Sequence, residues 1–296
     1  MLQTRPKNPA ASTAAVASGT QVILISGLSG SGKSVAIKVL EDANYYCVDN
    51  LPTKFLPALI RSLQNAGESR IGISIDARSG ETVSELPKLI KELRETDMDV
   101  RVMFLEANTD ELVKRFSETR RKHPLATSGR TLIESIAEER GLLGELSELA
   151  HRIDTTDVRP NTLRGWVKDF LRLDQSRLTL YFQSFGFKHG APQDADLVFD
   201  VRMLPNPYYD PAMRALTGLD ELVMKFLDAN AEAQKMLGDI ERFVTEWLPH
   251  YVRDNRSSLT VAIGCTGGQH RSVYMAEKLA ARFSGDHQVL VRHRNR

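Results

Sequence analysis

The segment Gly27-Leu28-Ser29-Gly30-Ser31-Gly32-Lys33-Ser34 has the spacing Gly-x-x-x-x-Gly-Lys-Ser, in which each residue type has a task with polyphosphate. Glycines let successive backbone N–H groups turn toward phosphate oxygens, the lysine ammonium neutralises the outer phosphates, and the serine hydroxyl can ligate Mg²⁺. The chemistry implied is binding of a nucleoside triphosphate, ATP or GTP, with Mg²⁺ on Ser34. Backbone contacts to phosphate do not read the base, so the two nucleotides stay undistinguished. A carboxylate at the end of a neighbouring strand commonly completes the metal shell, and both Asp49 and Asp76 qualify. Asp49 reads equally well as a turn residue before Pro52. Asp76 opens a loop with Ala77, Arg78 and Ser79 that could contact base, ribose or phosphate.

A second glycine loop, Gly264-Cys265-Thr266-Gly267-Gly268-Gln269-His270-Arg271-Ser272, lies between an apolar run and a helical one. Backbone N–H groups at a helix start, Arg271, His270 and the hydroxyls of Thr266 and Ser272 together favour a phosphate or a phosphorylated metabolite. Cys265 through Ser272 also fits Cys-x5-Arg-Ser, the phosphate loop of cysteine-dependent phosphatases, in which a low-pKa thiolate attacks phosphorus. Position 264 is glycine rather than the histidine common there, and no general-acid aspartate can be assigned. The basic stretch Arg115, Arg120, Arg121, Lys122 and His123 is similar to the lid of small nucleotide kinases, where arginines stabilise transferred phosphoryl charge; a solvated helical face is the other reading.

The elements that must position these loops follow from periodicity. Short apolar runs at Val22 to Ser26, Tyr45 to Val48, Ile71 to Ile75, Val100 to Leu105 and His151 to Thr155 alternate with amphipathic stretches, which predicts parallel strands joined by helices. Helices are predicted from Lys33, over Glu81 to Glu95, after an Asn108 or Thr109 cap, over Thr131 to Leu149, and over Asn161 to Leu173. Beyond come Leu178 to Phe185, Asp196 to Val201, a Pro-rich loop at Pro205 to Pro211, helices at Asp220 to Leu227, Glu232 to Trp247 and Val273 to Phe283, and a strand at Leu259 to Ile263. At 296 residues the chain has room for two domains. The division is a disordered extension over 1–20, rich in Ala, Ser, Thr and Pro, a P-loop domain over 21–174, and a second domain over 175–296. The fold class is α/β: a P-loop kinase-like parallel-sheet domain followed by a second α/β domain with a phosphate-binding loop.

A net charge of +1 gives no global attraction to polyanions, so any nucleic-acid contact must be local. Two cysteines far apart, Cys47 and Cys265, predict no disulfide framework and a reducing, cytoplasmic setting. No apolar run is long enough to span a bilayer.

These loops, with Cys47-Val48-Asp49-Asn50-Leu51-Pro52, Phe185-Gly186-Phe187-Lys188-His189-Gly190, Asp196 to Asp200 and Arg202 to Pro207, closely resemble the RapZ family over about residues 21 to 294. The resemblance implies a kinase-like domain binding ATP or GTP with at most weak hydrolysis. It also implies a second domain that senses glucosamine-6-phosphate and binds a regulatory small RNA, presented in some members to RNase E, and a homo-oligomer. Carried over residue by residue, nucleotide contacts fall on Gly27 to Ser34 and Asp76 to Ser79. The phosphosugar pocket falls on Asp200, Cys265, Thr266, Gly267, His270 and Arg271. RNA contacts fall on Lys188 and on a basic C-terminal tail with Arg282, Arg292, Arg294 and Arg296. Tyr208 stands where enteric members have a histidine, and a phenol cannot become cationic. The alternative function is a small-molecule (sugar) kinase using the second loop as an acceptor pocket, and after it a cysteine-dependent phosphatase using Cys265.

Overall fold

The computed structural model describes residues 19–77, 84–127, 129–172, 178–254, 256 and 258–295. Arg78, Ser79, Arg296 and most of the predicted N-terminal extension lie outside them. Among the described residues the chain forms two parallel sheets, as the alternation of apolar and amphipathic runs predicts.

The first sheet has the order β2-β3-β1-β4-β5: β1 (Gln21–Gly27), β2 (Tyr46–Val48), β3 (Arg70–Ser74), β4 (Asp99–Glu106) and β5 (His151–Asp154). β1 is central and buried on both faces beyond its first residue, as expected of a strand roofed by helices. One face is covered by α2 (Leu56–Asn65), α3 (Leu86–Arg94), α4 (Thr109–Thr119), α5 (Leu132–Leu142) and α6 (Gly144–Leu149). The other face packs against α1 (Lys33–Asp42) and α7 (Pro160–Leu171). Each fully buried Ile or Leu in these layers contributes roughly 1.5–3 kcal/mol over an exposed one.

The second sheet has the order β7-β8-β6-β9: β6 (Thr179–Gly186), β7 (Leu197–Asp200), β8 (Ser258–Cys265) and β9 (Gln288–His293). Its core is shared with α8 (Glu221–Asp228), α9 (Ala231–Arg253) and α10 (Arg271–Phe283). Tyr181 of β6 belongs to the core of the first sheet, so the two sheets are packed together rather than strung apart.

Local chemistry sets the ends. Asn108 caps α4, its Oδ1 accepting from Glu111 N–H at 2.8 Å, and Asn230 does the same for α9 through Ala233 N–H. Four elements depart from the sequence reading. Thr131 to Leu149 is two helices, broken at Leu143 between Gly141 and Gly144, residues with low helix propensity. α2 was not anticipated, although Leu56, Ile60 and Leu63 recur on its buried face. α9 runs past Trp247 to Arg253, continuing through Pro249 even though proline has no N–H for the preceding turn. The fourth is β9, a strand where a basic tail was expected.

Candidate functional site

The first loop turns from β1 into α1. Leu28 N–H donates to Leu105 O at 3.0 Å and pins it to β4. Gly32, at the N-cap of α1, has φ of 105°, a left-handed conformation that favours glycine and strains any L side chain. Lys33 Nζ donates to Gly27 O at 2.6 Å and Leu28 O at 3.1 Å, which arches the side chain over the loop. The buried Ser31 Oγ has no hydrogen-bond partner among the described residues. A cleft of about 510 Å³ opens in front, bringing Lys33 and Ser34 together with Asp49, Asp76, Arg121 and Lys122. Asp76 lies two residues beyond the end of β3 and is buried, as is Ala77. The serine hydroxyl and the two carboxylates are hard oxygen donors suited to Mg²⁺, and the cationic rim suits phosphate.

The predicted lid separates into parts. Arg121 and Lys122 face the cleft. Arg115 lines the cleft too and also braces the loop, donating to Gly30 O and Thr155 Oγ1, each at 3.0 Å, and to Thr155 O at 2.7 Å. Thr155 Oγ1 in turn lies 2.9 Å from Ser31 O. His123 is buried, its Nε2 3.1 Å from Glu139 Oε2. Sequence reasoning missed Glu139, which is wholly buried and accepts from Ser29 N–H at 2.8 Å and Ser29 Oγ at 2.7 Å. Burial pushes its carboxyl pKa up, but His123, the Lys33 charge and both Ser29 bonds outweigh this and hold it below the ordinary value. An ionised carboxylate therefore fastens the third loop residue to α5. Its only sequence signal was an acidic residue within the helical run Thr131 to Leu149.

The second loop repeats this strand, glycine turn and helix at the ends of β8 and α10. Cys265 and Arg271 are buried, Thr266 is exposed, and Gly267 lies beside the Lys188 side chain. Gly268 has φ of 74°, and a Cβ there would meet Asn295 Oδ1 and Gly186 N at 2.7 Å. Arg271 Nη1 is anchored by the carbonyls of Arg202 and Leu204 at 2.7 and 2.8 Å. His270 is turned into the loop's support, Nε2 3.1 Å from Met213 O, and burial lowers its pKa. Asp200 ends β7 in register with Gly264, its carboxylate clasped by Arg202 and held below the usual range by those hydrogen bonds. Tyr208 is exposed and meets Tyr209 edge-on, the ring centroids 6.5 Å apart.

A family model described as the RapZ-like N-terminal domain matches residues 20–175, and one described as the RapZ C-terminal domain matches residues 178–296. The chain belongs to the RapZ-like family. A nucleotide-binding protein of Azoarcus sp. (strain BH72) is 58% identical over 276 residues, covering 93% of this chain and 94% of its own length. Relatives of the same description from Cupriavidus pinatubonensis and Nitrosomonas europaea are 57% and 56% identical, covering 93% of this chain and 98% and 96% of theirs.

In this RapZ-like chain two of the described C-terminal arginines do not belong to a free basic tail. Arg292 and Arg294 are 2% and 5% exposed. Arg292 packs its guanidinium over the rings of Tyr181 and Trp166, and Arg294 Nη1 donates to Asp154 Oδ2 at 2.8 Å. The expectation that these two side chains meet RNA is thus corrected: β9 and the residue just beyond it turn them inward, where aromatic rings and a carboxylate take up their charge. Arg282 is exposed but ion-paired with Glu241, and Lys188 is exposed beside the second loop.

The two residues after β9 reach segments beside each loop. Arg294 Nη2 donates to Thr156 O at 3.2 Å, next to the Thr155 that braces the first loop. Asn295 Oδ1 accepts from Gly186 N–H at 2.8 Å, against Gly268 of the second.

Proposed function

We propose that this chain is a cytoplasmic regulatory protein that binds ATP or GTP with Mg²⁺ at Gly27 to Ser34 and senses a phosphosugar, glucosamine-6-phosphate, at Cys265 to Ser272. It couples their occupancy to a small regulatory RNA and a ribonuclease partner of the RNase E type. The observation that carries this reading is the presence of two separate strand–glycine loop–helix anion cradles, with consecutive residues after β9 bonded beside each: Arg294 to Thr156 O, next to the Thr155 that braces the first loop, and Asn295 to Gly186 N–H, against Gly268 of the second. Lys33, Ser34 and Asp76 would hold the nucleotide phosphates and Mg²⁺, which neutralises phosphate charge when bound. Arg271 and the α10 N–H groups would hold the sugar phosphate, with the ionised Asp200 available to a sugar ammonium. The relatives named as nucleotide-binding proteins support the first half. RNA contact falls to Lys188, with Arg282 and Arg296 as further cations, and the working form is a homo-oligomer. Hydrolysis of the nucleotide is slow and incidental.

Crosslinking of RNA in cells, with and without glucosamine-6-phosphate, tests the RNA half. Recovery of specific RNA that falls in Lys188→Ala supports it, and recovery no higher than that of an unrelated protein removes it.

A second reading is a small-molecule kinase, favoured by the cleft that Asp49 lines together with Lys33, Arg121 and Lys122. Asp49 would orient an acceptor hydroxyl. Transfer of labelled phosphate from ATP to a sugar would establish it; slow nucleotide hydrolysis alone would count against it.

A further inference from the structure

Cys265 ends β8 with its sulfur beneath the first turn of α10. Gly268 N–H points at Sγ from 3.3 Å, and Ser272 Oγ lies 3.2 Å away, donors of the kind that stabilise a thiolate. Burial alone would raise the thiol pKa, but the Ser272 and Gly268 hydrogen bonds and the Arg271 charge outweigh it and hold the group below its ordinary value. Cys47 shows the contrast: burial and Glu41 push it up to about 11.

Arg271 supplies the independent observation. Nη1 is pinned by two carbonyls, while on the opposite edge Nε has no hydrogen-bond partner among the described residues and Nη2 meets Thr266 Oγ1 only at 3.4 Å. The side chain is 4% exposed, and an unclaimed N–H at that depth is costly unless a ligand takes it. The Nε and Nη2 edge of a guanidinium is a fork for two phosphate oxygens. Thr266, the residue next to Cys265, puts that edge against the start of the loop.

We infer that Cys265 is a nucleophile toward phosphorus, and that the second loop hydrolyses phosphomonoesters whose leaving groups need no proton donor. The inference rests on the reading of this loop as a phosphate site. The thiolate electron pair forms the S–P bond as the ester P–O bond breaks, and the leaving oxygen departs with its electron pair, to be protonated by solvent. Water then adds to phosphorus, the S–P bond breaks, its electron pair returns to sulfur, and inorganic phosphate leaves while the water's proton passes to solvent. Arg271 and the α10 N–H groups stabilise the phosphoryl oxygens, and Ser272 Oγ–H stabilises the departing thiolate.

The surrounding groups restrict the substrate class. Asp200 is held ionised by Arg202 and has no proton to give at neutral pH. His270 is kept neutral by burial and turned toward Met213 O. Aryl and acyl phosphates, whose leaving groups are weakly basic, are cleaved. A sugar phosphate, which would leave as a strongly basic alkoxide, is held intact, so the loop senses it without consuming it.

The test is hydrolysis of p-nitrophenyl phosphate by the full chain, its Cys265→Ser and Ser272→Ala variants, each checked for native melting, alongside calorimetry of inorganic phosphate on the parent. The parent should turn over the aryl ester, Cys265→Ser should lose about 100-fold or more, and Ser272→Ala about 10-fold. Glucosamine-6-phosphate should inhibit competitively and release no phosphate. Equal turnover in Cys265→Ser, or none by a parent that binds phosphate, overturns the nucleophile and leaves the phosphate site standing. A parent that binds no phosphate overturns both.

Discussion

Arg294 and Asp154 are 140 residues apart in sequence, yet Nη1 donates to Oδ2 at 2.8 Å with the side chains 2% and 1% exposed. This pair joins the residue just beyond the last strand of the second sheet to β5 of the first. Asp154 also accepts from Thr156 and Gln193 N–H groups, so one carboxylate organises the turn behind the first loop and the approach to β7. Removing one member strands a buried charge. Arg294→Met should therefore cost about 3–5 kcal/mol in urea unfolding, far more than loss of a surface ion pair. A cost within about 1 kcal/mol would mean that the pair does not hold the sheets together.

Asp194 lies in the same network, its Oδ2 accepting from Asp154 N–H. Burial, and after it the Asp154 charge, push its pKa up to about 6, above the roughly 3.9 of an unfolded chain. The folded state then binds more protons between those values, so this group's contribution is fully present below about pH 3.9 and is lost as pH rises through 6. Asp194→Asn should flatten that part of the profile. Relative to the variant, the parent should lose up to about 3 kcal/mol between pH 4 and 6.5, measured by urea titration; parallel profiles would contradict it.

Glu139 shifts the other way. Its folded pKa is depressed, so its contribution is present above the unfolded value of about 4.3 and is lost as pH falls through the folded one. Glu139→Ala leaves Ser29 N–H and His123 without their acceptor. Stability should drop by about 2–3 kcal/mol, and nucleotide should bind about 10-fold more weakly as the loop loosens, by melting and by fluorescence titration of a labelled nucleotide. Unchanged affinity in a folded variant would make the carboxylate a packing feature alone.

Gly268→Ala would force a Cβ within 2.7 Å of Asn295 Oδ1 and Gly186 N at a φ of 74°. The cost should be about 2 kcal/mol or more, and phosphosugar binding should disappear with it, because the loop must move to admit the methyl group. Calorimetry on the folded variant reads both; full binding would show that this turn does not shape the cradle.

Much of this was legible from sequence because it is local. Both phosphate loops lie within runs of eight or nine consecutive residues, and their glycines, cations and hydroxyls declare the chemistry before folding. The parallel strands were visible for a similar reason, as dense apolar runs between amphipathic ones. Glu139 was hidden because its role depends on α5 packing over the first loop, a contact spanning 110 residues. β9 was hidden because Arg292 and Arg294 read as a solvated tail until Tyr181, Trp166 and Asp154 are brought beside them. A buried arginine is defined by partners that its own neighbourhood in the sequence does not contain.

The two-site account is tested most directly by titrating a non-hydrolysable Mg-nucleotide and glucosamine-6-phosphate separately into the parent, Lys33→Ala and Arg271→Lys. Lysine can still reach the carbonyls of Arg202 and Leu204 but has no second edge for phosphate. Lys33→Ala should weaken nucleotide by about 100-fold and leave the sugar phosphate near its parent affinity, and Arg271→Lys should do the converse. If either folded variant binds its own ligand as the parent does, or if both ligands are lost together with one cradle, two separate anion sites is the wrong description of this protein.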